Sequence, residues 1–205
     1  MAVVRILGID PGTQVVGFGC LELVVDTASA PARELPLAMR GANVVRVGGG
    51  GAGGAHLVGA GVLRLGGRNT ELPQRLLSLS DQFRGLLQQF APNELAIEEA
   101  FYGKSAQAAL RIGEARGVVL AEAARGGAAV FQFPPARVKR CITGNGAAGK
   151  DSVAAMVRQL VQHGRGALAG DLPLDATDAV AVAWTRLEQR RSPMAQWLAD
   201  GGLSD

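Results

Sequence analysis

A mixed β-sheet covered by helices on both faces is the fold class this sequence predicts, and three observations predict it. The first is a set of apolar, β-branched runs near the N-terminus, Val3–Ile9, Val15–Val25 and His56–Leu65, each closed by turn residues. The second is the later alternation of helix-like and short strand-like segments. The third is size: 205 residues, 48% of them hydrophobic, suffice for one substantial core.

Taken in order, Val3–Ile9 reads as a buried strand ended by Asp10-Pro11-Gly12, and Val15–Val25 as its hairpin partner. Residues 26–55 then change character. They contain few large apolar side chains and the tract Gly48-Gly49-Gly50-Gly51-Ala52-Gly53-Gly54. Such a segment buries too little surface to offset its ordering entropy, so it reads as a flexible insertion. From Asn69 to Phe90, Leu72, Leu76, Leu79, Phe83 and Leu86 or Leu87 recur at helical spacing, and Ala91-Pro92-Asn93 stops the helix. Leu95-Ala96-Ile97-Glu98 is a short strand. Ser105 caps a helix to about Arg125, and Ala128–Phe133 is a further strand. Helices follow near Ala136–Ile142, Lys150–Val161 and Asp175–Glu188. The reading is one domain over 1–188, with the insertion at about 26–55, and a C-terminal tail over 189–205.

The net charge is +3, but its distribution is uneven. Between Arg125 and Arg165, seven cations (Arg125, Arg137, Lys139, Arg140, Lys150, Arg158, Arg165) face Asp151 alone, an excess suited to phosphates. Cys20 and Cys141 are too few for a disulfide framework and lack metal-ligand spacing, which suits a reducing compartment. No secretory leader and no membrane-length apolar run is evident, so a cytoplasmic protein without membrane contact is expected.

The acidic residues fall where strands and helices end. Asp10 ends the first strand, Glu98 and Glu99 end the fourth, and Asp175 and Asp178 open the last helix on one face. Alternation along a strand lets only one of Glu98 and Glu99 face a shared pocket. Together these side chains would form an oxygen-only pocket whose like charges repel. Mg²⁺ resolves that repulsion, because it takes oxygen ligands and retains water. Two such ions about 4 Å apart can activate an attacking water and stabilise the leaving oxygen of a phosphodiester. Taken singly, each feature has a plainer explanation: Asp10-Pro11-Gly12 as a turn, Asp175-Ala176-Thr177-Asp178 as a helix cap.

The assembled pattern closely resembles the RuvC family of junction resolvases. Ile6-Leu7-Gly8-Ile9-Asp10-Pro11-Gly12-Thr13 with Gly17-Phe18-Gly19, Ala96-Ile97-Glu98-Glu99-Ala100-Phe101, Gly113-Glu114-Ala115-Arg116-Gly117, Val138-Lys139, Gly144-Asn145-Gly146 and Asp175-Ala176-Thr177-Asp178-Ala179 carry it. The resemblance spans about 4–24 and 57–187, and it implies an RNase H-like fold. It also implies paired symmetric nicking of a four-way DNA junction by a homodimer, partnership with a RuvA–RuvB branch-migration complex, and two Mg²⁺ per site, replaceable by Mn²⁺.

On the matching positions, the catalytic and metal-holding carboxylates are Asp10, Glu98, Asp175 and Asp178, so the resemblance selects Glu98 over Glu99. Some family members carry His at the position of Asp175. Phe101 is expected to stack on bases at the branch point, with Tyr102, Lys104 and Arg116 as further DNA contacts. Lys139 and Lys150 are expected to meet phosphates or stabilise charge at the cut bond. Ala109, Gly113, Gly117 and Ala121 form a stripe of small side chains that admits close helix approach. In the family this helix lies at the dimer interface; packing inside the monomer is the alternative. The insertion, Gly149 and the residues from Arg190 onward depart from the family pattern.

A rival from another class is a nucleotide-binding ATPase, because Asp10-Pro11-Gly12-Thr13 with Gly17-Phe18-Gly19 also looks like the first phosphate loop of sugar kinases and Hsp70-like ATPases. Those proteins need two related lobes and a second phosphate loop, for which 205 residues are too few.

Overall fold

The computed structural model describes residues 3–24, 55–67, 69–99, 106–162 and 172–192. Five strands, β1 (Val3–Asp10), β2 (Val15–Val24), β3 (Ala55–Arg64), β4 (Glu94–Glu98) and β5 (Ala129–Phe133), form one sheet in the order β3-β2-β1-β4-β5. β1 pairs antiparallel with β2, and β2 with β3, whereas β4 runs parallel to both β1 and β5. The helices are α1 (Leu72–Phe90), α2 (Ala106–Arg125), α3 (Pro135–Thr143), α4 (Lys150–Gln162) and α5 (Leu174–Arg191).

Both faces of the sheet are covered, as the sequence predicts. Leu7, Ile9, Phe18, Leu95 and Ile97 point to one side and pack with Leu79, Phe83, Leu86 and Phe90 of α1 and Val119 of α2. Ile6, Leu21, Ala96 and Phe133 point to the other and pack with α3, α4 and α5, including Val138, Val157, Val180 and Leu187. The segregation follows the two-residue period of a strand.

On that second face, glycine governs the distance between layers. A Cβ on Gly8 would lie 2.1 Å from the Ala179 carbonyl oxygen, one on Gly17 would lie 1.9 Å from that of Asp175, and one on Gly19 would lie 2.4 Å from Val180 Cγ2. With Ala176, Ala179 and Ala183 on its underside, α5 therefore lies directly on the backbone of β1 and β2. Its far end is anchored by charge. Arg186 donates from Nε and Nη2 to the buried Glu94 carboxylate at 2.8 and 3.1 Å, Arg190 donates to the same group, and Arg186 stacks 3.5 Å over the Phe131 ring.

Three boundaries differ from the sequence reading. α1 starts at Leu72 rather than Asn69, with a proline in its first turn, where a missing N–H costs nothing. Ala55, placed in the insertion by composition, is a buried residue of β3 paired with Leu23. The domain edge expected at 188 falls inside α5, which continues to Arg191 because Arg190 finds Glu94. The remainder of the 26–55 insertion, Ser105 and the tail beyond Ser192 lie outside the described residues. Among the described residues, no helix is long and apolar enough to cross a membrane.

Candidate functional site

The register of the sheet places the first two acids. Ile9 pairs with Ile97, so the next residues, Asp10 and Glu98, leave adjacent parallel strands side by side. They share a parity with Gly8 and Ala96, which face α5, and this turns both toward that helix. Glu99 has the opposite parity and is exposed, its N–H donating to the Phe133 carbonyl at 2.9 Å. The glycine floor supplies the rest. Gly17 is the cross-strand partner of Asp10, and the carbonyl of Asp175 sits directly on Gly17. The first turn of α5 is thereby delivered to the end of β1, with Asp175 and Asp178 three residues apart. No side chain caps this helix, so neither acid serves as an N-cap.

The electrostatics record the convergence. The Asp10 carboxyl is pushed up from 3.8 to about 7, first by burial, then by the charges of Asp178 and Glu98, with Asp175 adding to them and Lys150 opposing. Glu98 is likewise raised by burial and by Asp178, against the pull of Lys150, Lys139 and Arg116. Lys150, at the start of α4, donates from Nζ to Asp178 Oδ2 at 3.1 Å, and this bond pushes its own pKa up. An oxygen-only donor set with one carboxyl held partly protonated and another satisfied by an ammonium suits a hard divalent cation. No group of three or more His, Cys, Asp or Glu among the described residues is drawn into a ready-made cage. The charges converge, with Lys150 in the place of a cation.

Of the expected DNA contacts, Lys139 on α3 and Lys150 flank the acids closely enough to act on Glu98. Phe101, Tyr102 and Lys104 lie outside the described residues. Arg116 is corrected. Only 7% of its surface is exposed, and it turns inward to donate to the Glu98 carbonyl and to Gln132 Oε1. Sequence reasoning missed Gln132, since nothing local marks it as an anchor. Among the described residues nothing packs on the small-residue stripe of α2: Gly113 and Gly117 are exposed with no described atom within 4 Å of an added Cβ, and Leu110 on the same face is 67% exposed. Nor is Gly17-Phe18-Gly19 a phosphate cradle, because α5 fills the space above both glycines.

A mixed five-stranded sheet in this order, with helices on both faces and acids gathered at the ends of β1 and β4, has the RNase H-like architecture. A family model described as "Crossover junction endodeoxyribonuclease RuvC" matches residues 36–186. The match begins beyond β1 and β2 and so leaves out Asp10. The enzyme of that name from Porphyromonas gingivalis is 32% identical over 93% of this chain and 85% of its own. Among solved structures, Thermus thermophilus RuvC superposes with a TM-score of 0.67 at 28% identity, over 92% of this chain and 96% of its own. The same protein in complex with a Holliday junction substrate gives 0.68 at 26% identity, over 92% and 95%. The chain belongs to the RuvC family of crossover junction endodeoxyribonucleases. It is a nuclease.

Proposed function

We propose that Asp10, Glu98, Asp175 and Asp178 hold divalent metal, Mg²⁺ in two positions with Mn²⁺ able to substitute, and that the site cuts a four-way DNA junction by paired symmetric nicks. The observation that carries this is the seating of α5 on Gly8 and Gly17, which brings two carboxylates of one helix to two of adjacent strand ends. When bound, such cations activate an attacking water and stabilise charge on the leaving oxygen. The chain's own residues do the rest. Asp10 and Glu98 leave adjacent strands from a buried base, which sets where the two carboxylates emerge. Lys150 is paired with Asp178 at the edge of the site, where its ammonium would also be within reach of a phosphate oxygen of bound DNA. Lys139 extends the same positive rim toward the DNA.

Phe101, Tyr102 and Lys104 follow Glu98 within a few residues and are assigned to the junction centre on the resemblance alone. A homodimer is supported by the exposed face of α2, where Leu110, Gly113 and Gly117 offer an apolar surface with close backbone access. Partnership with RuvA–RuvB rests on the resemblance, and a cytoplasmic location on the absence of a cysteine framework. The test is incubation with Mg²⁺ and a labelled four-way junction beside a linear duplex of the same sequence. Symmetric nicks in the junction alone are expected; equal cutting of both substrates, or ATP turnover without nicking, would overturn the reading.

A further inference from the structure

Arg116 lies in the middle of α2, between Ala115 and Val119 on the face packed against the sheet, and is almost fully buried. A guanidinium in such a place loses its water, and a hydrocarbon of similar volume would fill the space with less penalty. What the hydrocarbon lacks is the fork of donors. One arm of that fork binds the backbone carbonyl of Glu98, and the other binds Gln132 Oε1 at 2.5 Å. Glu98 is the last residue of β4, and Gln132 is the β5 partner of Ile97. One side chain therefore ties α2 to the open ends of two strands at the point where Glu98 emerges. Beyond that point, among the described residues, the Glu99 N–H to Phe133 carbonyl bond alone continues the ladder, and the Arg116 fork adds a second tie at the strand end.

We infer that Arg116 is a positioning residue for Glu98: by clamping the Glu98 carbonyl it fixes the direction of the carboxylate and thereby sets the affinity of the site for its divalent cation. It touches neither DNA nor the reacting atoms. The inference rests on the assignment of Glu98 to the metal site, and the controls separate the two.

The test titrates Mn²⁺ alone into the full-length protein without DNA, with the free ion followed by its paramagnetic resonance. Arg116→Gln is expected to weaken Mn²⁺ binding by about ten- to a hundredfold, the usual scale for a group that orients a ligand, while Arg116→Lys recovers part of the loss. Junction binding in EDTA stays within about twofold of the parent, as expected of a residue that makes no phosphate contact. The Mn²⁺ concentration for half-maximal nicking rises in parallel, and saturating Mn²⁺ restores most of the rate. Should Arg116→Gln fail to fold, Gln132→Leu at an exposed position releases one arm of the clamp, with an expected loss of about threefold, a fraction of the full effect. Unchanged Mn²⁺ affinity in a folded variant of either kind overturns the inference, as does weakened junction binding in EDTA with metal affinity intact. Unchanged affinity in Glu98→Gln would instead remove Glu98 from the site, and the clamp's purpose with it.

Discussion

On one face of the sheet β1 and β2 meet their helices through large side chains, and on the other three glycines lie directly beneath α5. Toward α1 and α2, β1 and β2 present Leu7, Ile9, Val16 and Phe18, all fully buried, and the Phe18 and Phe90 rings lie 6.2 Å apart. Toward α5 the same strands present Gly8, Gly17 and Gly19, so the helix rests on backbone. The alternation Gly17-Phe18-Gly19 builds both surfaces from three residues. The bulky face contributes stability through area removed from water and can adjust by repacking. The face beneath α5 also buries a large apolar cluster, from Ile6 and Leu21 to Val180, Val182 and Leu187, and its glycines in addition set the height of α5 and hence where Asp175 and Asp178 stand relative to Asp10 and Glu98. Both faces thus hold the fold together, while the seating of α5, and with it Asp175 and Asp178, is set by the glycines.

This division can be broken from either side. Phe83→Ala truncates a fully buried ring on the bulky face and should lower stability by about 3–5 kcal/mol. Denaturant melts measure that loss, while nicking at a temperature where the variant stays folded remains near the parent's. Gly17→Ala should do the reverse. Its new methyl meets a backbone carbonyl that cannot rotate away, so α5 must lift. Overpacking of this kind costs about 1–3 kcal/mol, yet displaced carboxylates should cut nicking by about ten- to a hundredfold. Equal activity and stability losses in both variants would show that the faces do not divide the roles.

A smaller effect sharpens the glycine face. Asp10 retains its proton up to about 7 in the folded chain, against an ordinary 3.8. Between those values the folded state binds more protons than the unfolded state, so stability without metal falls as pH rises from about 4 to 7. Melting in EDTA should show this decline, and Asp10→Asn should flatten it and melt above the parent at pH 8. Melting temperatures that rise with pH through that window, equally in both proteins, would contradict the charge crowding. The smallest change is expected from replacing residues 28–54 with a short turn. The strands they join already stand side by side at Leu23 and Ala55, and closing a shorter loop costs little. Nicking should stay within about threefold; a larger loss would give the segment a part in the site.

Much of this was legible from local pattern. The strands and helices follow hydrophobic period and turn residues, and the four acids stand out because each ends a strand or opens a helix. What escaped depends on contacts distant in sequence. Arg190 reads as tail until Glu94, 96 residues away, binds it, and α5 lengthens accordingly. Arg116 is expected as a DNA contact on the resemblance, and the ends of β4 and β5 give its donors a buried destination instead. The glycines of β2 carry a motif in sequence, but their task, letting a helix lie on the sheet, depends on Asp175 and Val180, 158 and 161 positions downstream of Gly17 and Gly19, being in place. The raised proton affinity of Asp10 likewise arises from burial and from carboxylates that β4 and α5, two segments distant in sequence, bring to it.

The central claim is that Asp10, Glu98 and Asp178 serve the cut and not the grip on DNA. Nicking of a labelled four-way junction by Asp10→Asn, Glu98→Gln and Asp178→Asn, alongside junction binding in EDTA, tests it most directly. Each variant should lose at least about a hundredfold in cleavage, the scale of removing one electrostatic stabiliser, while binding is unchanged or tighter because a negative charge has gone. Near-normal cutting by folded Asp10→Asn would contradict the account.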